Sequence, residues 1–151
     1  MTNFETDVLA QLIRRKHECL RQLLEMGGKQ VELVRSGSMT ELLDVLSAKQ
    51  QVLDRLVQVE GALAFFRDQD PDGRQWRSSD ERRECAEKLD QCESMLAGIV
   101  AREKQSEHEL TRRRDEAATR LQGAHLAGQA RGAYTALPGA EVRQLDLSSG
   151  K

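Results

Sequence analysis

Aromatic residues are scarce in this chain: Phe4, Phe65, Phe66, Trp76 and Tyr134 make up 3% of its 151 residues. Globular cores draw much of their packing area from rings. Such scarcity argues against a sandwich, a barrel or a compact α/β enzyme. Proline is confined to Pro71 and Pro138, so long stretches carry nothing that breaks a helix. Cys19, Cys85 and Cys92 are odd in number and too scattered for a disulfide framework, and they fit a reducing cytoplasm. No run approaches the roughly 18 apolar residues that a membrane span needs. Met1-Thr2-Asn3-Phe4-Glu5 lacks the basic-then-apolar order of a signal peptide. Neither sign of charge dominates: the formal net charge is −2 and the pI is near 6.0. That balance supplies no global pull towards nucleic acid or an anionic membrane.

What the chain has instead is Leu, Glu, Arg, Gln and Ala, all good helix formers. The predicted fold is all-α: an elongated antiparallel three-helix bundle or coiled coil, with a long third helix and a disordered C-terminal tail. The bundle domain spans residues 1–131, with helices at about 3–35, 39–66 and 79–131; residues 132–151, with Pro, Gly, Ser and scattered charge, form the tail.

In the first helix Leu9, Leu12, Ile13, Cys19, Leu20, Leu23, Leu24, Val31 and Val34 recur in steps of three and four, the mark of one buried stripe. Gly27-Gly28 inside it reads as a bend or a close approach, with a helix break as the alternative. Gly37 suits the left-handed position after the helix, and Ser38 with Glu41 forms an S-x-x-E capping box for the second. There Leu42, Leu46, Lys49, Leu53, Leu56, Glu60 and Leu63 define a four-three seam, widened by Leu43, Val45, Val52, Val59 and Phe66. Lys49 and Glu60 on that seam snorkel to the edge or set register. Arg67 to Gly73 is a breaker, followed by a second capping box, Ser78 and Glu81.

The third seam begins with Cys85, Leu89, Cys92, Leu96 and Ile99, then meets Glu103, Ser106, Leu110, Arg113, Ala117 and Ala124 as its apolar character fades. At 1.5 Å per residue this helix is roughly 80 Å long, against roughly 50 and 42 Å for the first two. Residues 111–131 therefore overhang or fold back. A weakly apolar segment without a partner is a candidate docking element; a fourth, short helix packed on the bundle is the alternative. The same topology brings Phe4, Phe65-Phe66 and Trp76 to one end as an aromatic plug.

Catalytic and metal motifs are missing. There is no His-Glu-x-x-His, no phosphate loop and no Gly-x-Ser-x-Gly. Paired Glu-x-x-His fails too, because Arg14, Gln105 and Gln122 stand three before His17, His108 and His125. Cys85 and Cys92, seven apart, read as small seam residues rather than ligands. Arg14-Arg15-Lys16 and Arg112-Arg113-Arg114 are each followed by acids and read as solvated faces. The expectation is therefore no enzyme, no cofactor and no metal.

Leu23-Leu24-Glu25, Val31-Glu32-Leu33-Val34, Arg35-Ser36-Gly37-Ser38, Leu42-Leu43, Leu46, Ala48-Lys49-Gln50, Val52-Leu53 and Leu56 resemble the FlgN family of small helical flagellar export chaperones. Its pattern is a Leu-rich helix, a Gly-containing turn and a helix with a Leu-x₂₋₃-Lys-x₃-Leu centre. The likeness covers roughly residues 8–131, and residues 20–60 carry most of it; Gly27-Gly28 departs from the pattern. The resemblance implies a cytoplasmic chaperone that holds the terminal helices of hook-associated (hook–filament junction) proteins and passes them to the export apparatus. It places substrate binding in the C-terminal region, where Leu110, Ala117, Leu121, Leu126, Tyr134 and Leu137 are available here. The rival classes are a structural coiled-coil adaptor, homodimeric through the overhang, and a nucleic-acid-associated helical protein.

Overall fold

A computed structural model describes residues 5–136. It contains three α-helices and one 3₁₀ turn: α1 (Glu5–Ser36), α2 (Met39–Ala64), the turn Pro71–Gly73, and α3 (Ser79–Ala136); the described residues include no strand. The chain divides into two compact units, 1–109 and 110–151. The last helix extends through Gly132 to Ala136, five residues that the sequence reading assigned to the tail; the remaining tail residues lie outside the described ones.

Within the first unit α1 is the most deeply buried element. Thr6, Leu9, Ala10, Leu12, Ile13, Cys19, Leu20, Leu23, Gly27, Gln30, Val31 and Val34 are all buried. So broad a stripe requires neighbours on two sides, and two apolar clusters supply them. In one, Leu9, Ala10, Leu12 and Ile13 of α1 meet Val59, Phe66 and Cys85, with Leu63 and Trp76 packed against them. In the other, Cys19, Leu20 and Leu23 meet Val52 and Cys92, with Met26, Leu53, Leu56, Met95 and Ile99 around them. Polar pairs follow the same helices: Lys16 with Glu60 at 2.9 Å, Gln22 with Arg55 at 3.4 Å and Gln30 with Lys49 at 3.1 Å.

The ends of α1 and α3 follow local chemistry. Gly37 takes φ 75°, in the left-handed region where a side chain is strained. Its N–H donates to the Val34 carbonyl at 3.2 Å, and the Ser38 N–H donates to the Leu33 carbonyl at 3.1 Å. Together these bonds make a Schellman motif. The first capping box does not form: Ser38 precedes α2 without a side-chain bond to the helix, and its hydroxyl pairs with that of Ser36 at 2.9 Å. Competition from the neighbouring serine explains the loss. The second cap does form, as the Glu81 N–H donates to Ser78 Oγ at 3.1 Å.

Between α2 and α3 the connection is tied down. Asp70 Oδ1 accepts from the Asp72 N–H at 3.0 Å at the start of the 3₁₀ turn. Thr6 Oγ1 donates to the Gln75 carbonyl at 2.8 Å, and Arg77 grips Asp7 with two bonds of 2.5 and 2.7 Å. Phe66 and Trp76 join the core here, as expected of the aromatic end. Phe65 does not: it is 71% exposed and meets Phe66 edge-on, with ring centroids 5.4 Å apart. Phe4 lies outside the described residues.

Both seams keep much of the spacing read off the sequence, and each turns some of its large apolar positions outward. On α2 Leu42, Val52 and Val59 are buried and Val45, Lys49, Leu53, Leu56, Glu60 and Leu63 half-buried, with Phe66 buried just beyond the helix, while Leu43 and Leu46 are exposed. Val59 is buried more deeply than Glu60, whose carboxylate keeps partial access to water. On α3 Met95, Arg102 and Glu109 turn inward, and Leu89, Leu96 and Leu110 are exposed. Gly98 sets this rotation. A Cβ built there would lie 3.0 Å from Leu24 Cδ1, so the α3 backbone approaches α1 at that point. Positions three before and four after Gly98, Met95 and Arg102, must then share its face.

Gly27-Gly28 is a close approach inside a continuous helix. Arg102 lies over the pair, with its Cβ 3.4 Å from a Cβ built on Gly27 and its Nη1 3.0 Å from one built on Gly28. The same Nη1 donates to the Leu24 carbonyl. The alternative of a helix break is set aside, since α1 runs unbroken to Ser36.

Candidate functional site

The residues singled out for partner binding all belong to α3 beyond the first unit, except Leu137, which lies outside the described residues. A helix forms there for a local reason. Ala117, Ala118, Ala124, Ala127, Ala130 and Ala133 have the highest helix propensity, and no proline intervenes before Pro138. Arg120–Glu116, an i,i+4 pair at 3.9 Å, adds a little. Thr119 and Thr135 turn their hydroxyls back to the Asp115 and Gly132 carbonyls, each at 2.9 Å.

Exposure along this segment is nearly complete. From residue 110 to 135 only Arg113 is half-buried. Leu121 is 73% exposed, Tyr134 58%, Leu126 56% and Leu110 41%. The helix does not gather the six positions into one stripe. At about 100° per residue, Leu110, Ala117 and Leu121 fall within about 40° of one another, and Ala124 and Gly128 continue that face. Leu126 and Tyr134 lie on the other side, about 80° apart.

Charge in this segment is one-sided, a feature missed when basic clusters alone are inspected. From Ala117 to Ala136 the basic side chains are Arg120, His125 and Arg131, and there is no Asp or Glu. A partner that covers this surface is best matched by carboxylates beside its apolar positions.

Other candidates resolve into structure. Cys19, Cys85 and Cys92 are free thiols, buried in the two clusters, and burial pushes each thiol's pKa up, away from the thiolate. Among the described residues no group of three or more His, Cys, Asp or Glu could hold a metal, and no helix is long and apolar enough to cross a membrane. Arg14 pairs with Glu84 at 3.7 Å, Lys16 with Glu60 at 2.9 Å and Arg114 with Asp115 at 3.5 Å. Lys49 is held inward by Glu103 and by Gln30, whose amide in turn donates to Ser106. Comparison with known proteins finds no matching family model, no matching curated protein and no matching solved structure.

Proposed function

We propose that the chain is a cytoplasmic export chaperone of the FlgN kind, with no catalytic role, which shields the terminal helices of hook-associated proteins and delivers them to the export apparatus. Three helices in up-down-up, antiparallel order form the scaffold, and α3 beyond Leu110 is the docking element. The observation that carries this reading is the exposure of Leu110, Leu121, Leu126 and Tyr134 on a helix that is otherwise small-residue and basic. An apolar, weakly charged helix face suits a partner helix, which would contribute its own apolar stripe and acids. The arrangement of the scaffold is supported by pairings that run in opposite order on α1 and α2, from Lys16–Glu60 to Gln30–Lys49.

Capture from a lysate of flagellated cells tests the proposal. The full chain should enrich hook-associated proteins, and a chain lacking 110–151 should lose them. Retention after that truncation would remove the assigned site. A full chain that captures none of them, yet doubles its mass in solution through the same segment, would favour the homodimeric adaptor.

A further inference from the structure

A groove of about 320 Å³ opens on the first unit, lined by residues of α1, α2, the connection and α3. Its apolar wall includes Leu63, Phe66, Trp76 and Leu89, and Lys16, Arg67, Arg74 and Arg82 stand around it with Glu60 as the one lining acid. Glu60 is already shared by Lys16 at 2.9 Å and Arg67 at 3.2 Å. Among the described residues the carboxylate nearest Arg82 is that of Asp72, at 3.7 Å, and both side chains are more than half exposed. Arg74 has no carboxylate partner among the described residues. Its Nη2 donates to the Phe66 carbonyl at 2.7 Å, while its Nε is buried without an acceptor. A buried guanidinium donor left unmatched is unfavourable, and a carboxylate is among the strongest acceptors that a guanidinium takes.

We propose that this groove is a binding site for an aliphatic monocarboxylate. Its headgroup accepts from Arg74, within the surplus positive charge of Lys16, Arg67 and Arg82, and its chain lies on Leu63, Phe66, Trp76 and Leu89. The volume falls at the small end of ligand pockets, which suits a single unbranched chain. The site uses none of the residues beyond Leu110, so it stands apart from the docking proposed for that segment.

Trp76 is the chain's only tryptophan and lines the groove, so its emission reports occupancy directly. The full chain is titrated with decanoate below its micellar concentration, with decanol, decylamine and acetate in parallel, and helicity is followed by circular dichroism. Decanoate should shift the emission saturably, at least tenfold more tightly than decanol or decylamine, and acetate should give no shift. Arg74→Gln should weaken decanoate at least tenfold with helicity unchanged. Should that variant unfold, Arg82→Gln decides, with a severalfold loss expected. Absence of a saturable shift, equal affinity for decanol, or unchanged affinity in a folded Arg74→Gln or Arg82→Gln chain overturns the proposal.

Discussion

Gln30 donates a 2.9 Å hydrogen bond to the Ser106 hydroxyl, joining α1 to α3 across 76 residues of sequence with both side chains buried. Gln30 Oε1 also accepts from Lys49 at 3.1 Å, so a single side-chain amide satisfies groups from two other helices. Removing one member leaves a buried partner unmatched. Ser106→Ala should therefore destabilise the chain by about 1–3 kcal/mol. Gln30→Leu combined with Ser106→Ala should be less damaging than the sum of the two single changes, as read by urea unfolding in a double-mutant cycle.

The glycines separate packing from propensity. A Cβ on Gly61 meets nothing within 4 Å, so Gly61→Ala should raise stability by about 1 kcal/mol through helix propensity alone. Gly28→Ala gains the same propensity but displaces Arg102 Nη1, which sits 3.0 Å from the new atom and bonds the Leu24 carbonyl. Its net effect should be close to zero. A gain at Gly28 equal to that at Gly61 would mean that Arg102 contributes nothing there.

Aromatic packing at the connection is unequal. Trp76→Ala should cost about 2–3 kcal/mol, below the usual range for a fully buried ring because the indole is only partly buried, and lower the thermal midpoint accordingly. Phe65→Ala, at a position 71% exposed, should stay within about 0.5 kcal/mol of the parent.

Alkaline pH should weaken the fold through its thiols. Burial raises the folded pKa of Cys19, Cys85 and Cys92 above the ordinary value of 9.0, so their contribution is complete below 9.0 and is lost as pH rises through the folded values. Lys49 acts the other way. Burial lowers its folded pKa below 10.5, so its contribution increases as pH rises through that window. Three thiols against one amine leave a net fall. The urea midpoint should drop between pH 8 and pH 10, and a chain with all three cysteines replaced by alanine should show a flat or rising profile.

The two faces of α3 beyond Leu110 make separable demands on a partner. If one partner helix docks there, Leu110→Ser with Leu121→Ser should abolish capture, and Leu126→Ser with Tyr134→Ser should leave it nearly intact, or the reverse. Equal loss from both pairs would require a partner that wraps the helix.

The helices, the left-handed Gly37 and the buried stripe of α1 were legible in the sequence because each rests on local periodicity or turn chemistry. The outward turn of Leu43 and Leu46 on α2, and of Leu89, Leu96 and Leu110 on α3, was not. Leu46 and Leu96 are larger and more apolar than Val45 and match Met95, so spacing alone preferred them. What decided the matter was contact between helices: Gly98 against Leu24, and the preference for burying Val59 over Glu60. Arg102 over Gly27-Gly28 was hidden for the same reason, since 74 positions separate Gly28 from its neighbour. The polar layer had a trace in the sequence, with Lys49 and Ser106 on seam positions, yet the role of Gln30 emerges only when three helices are together. At the candidate site, the split into two faces follows from spacings of five and eight residues that composition does not weigh.

The buried cysteines have a further consequence, in time rather than energy. Cys85 belongs to one apolar cluster, and Cys19 and Cys92 to the other. Each thiol keeps only 2–7% of its surface, so a thiol reagent reacts slowly until the cluster opens. Labelling under native conditions is therefore a pair of clocks set at different levels of the same fold. A single rate for all three thiols marks an all-or-none opening, whereas a faster Cys85 marks loosening that begins where α1 meets the connection.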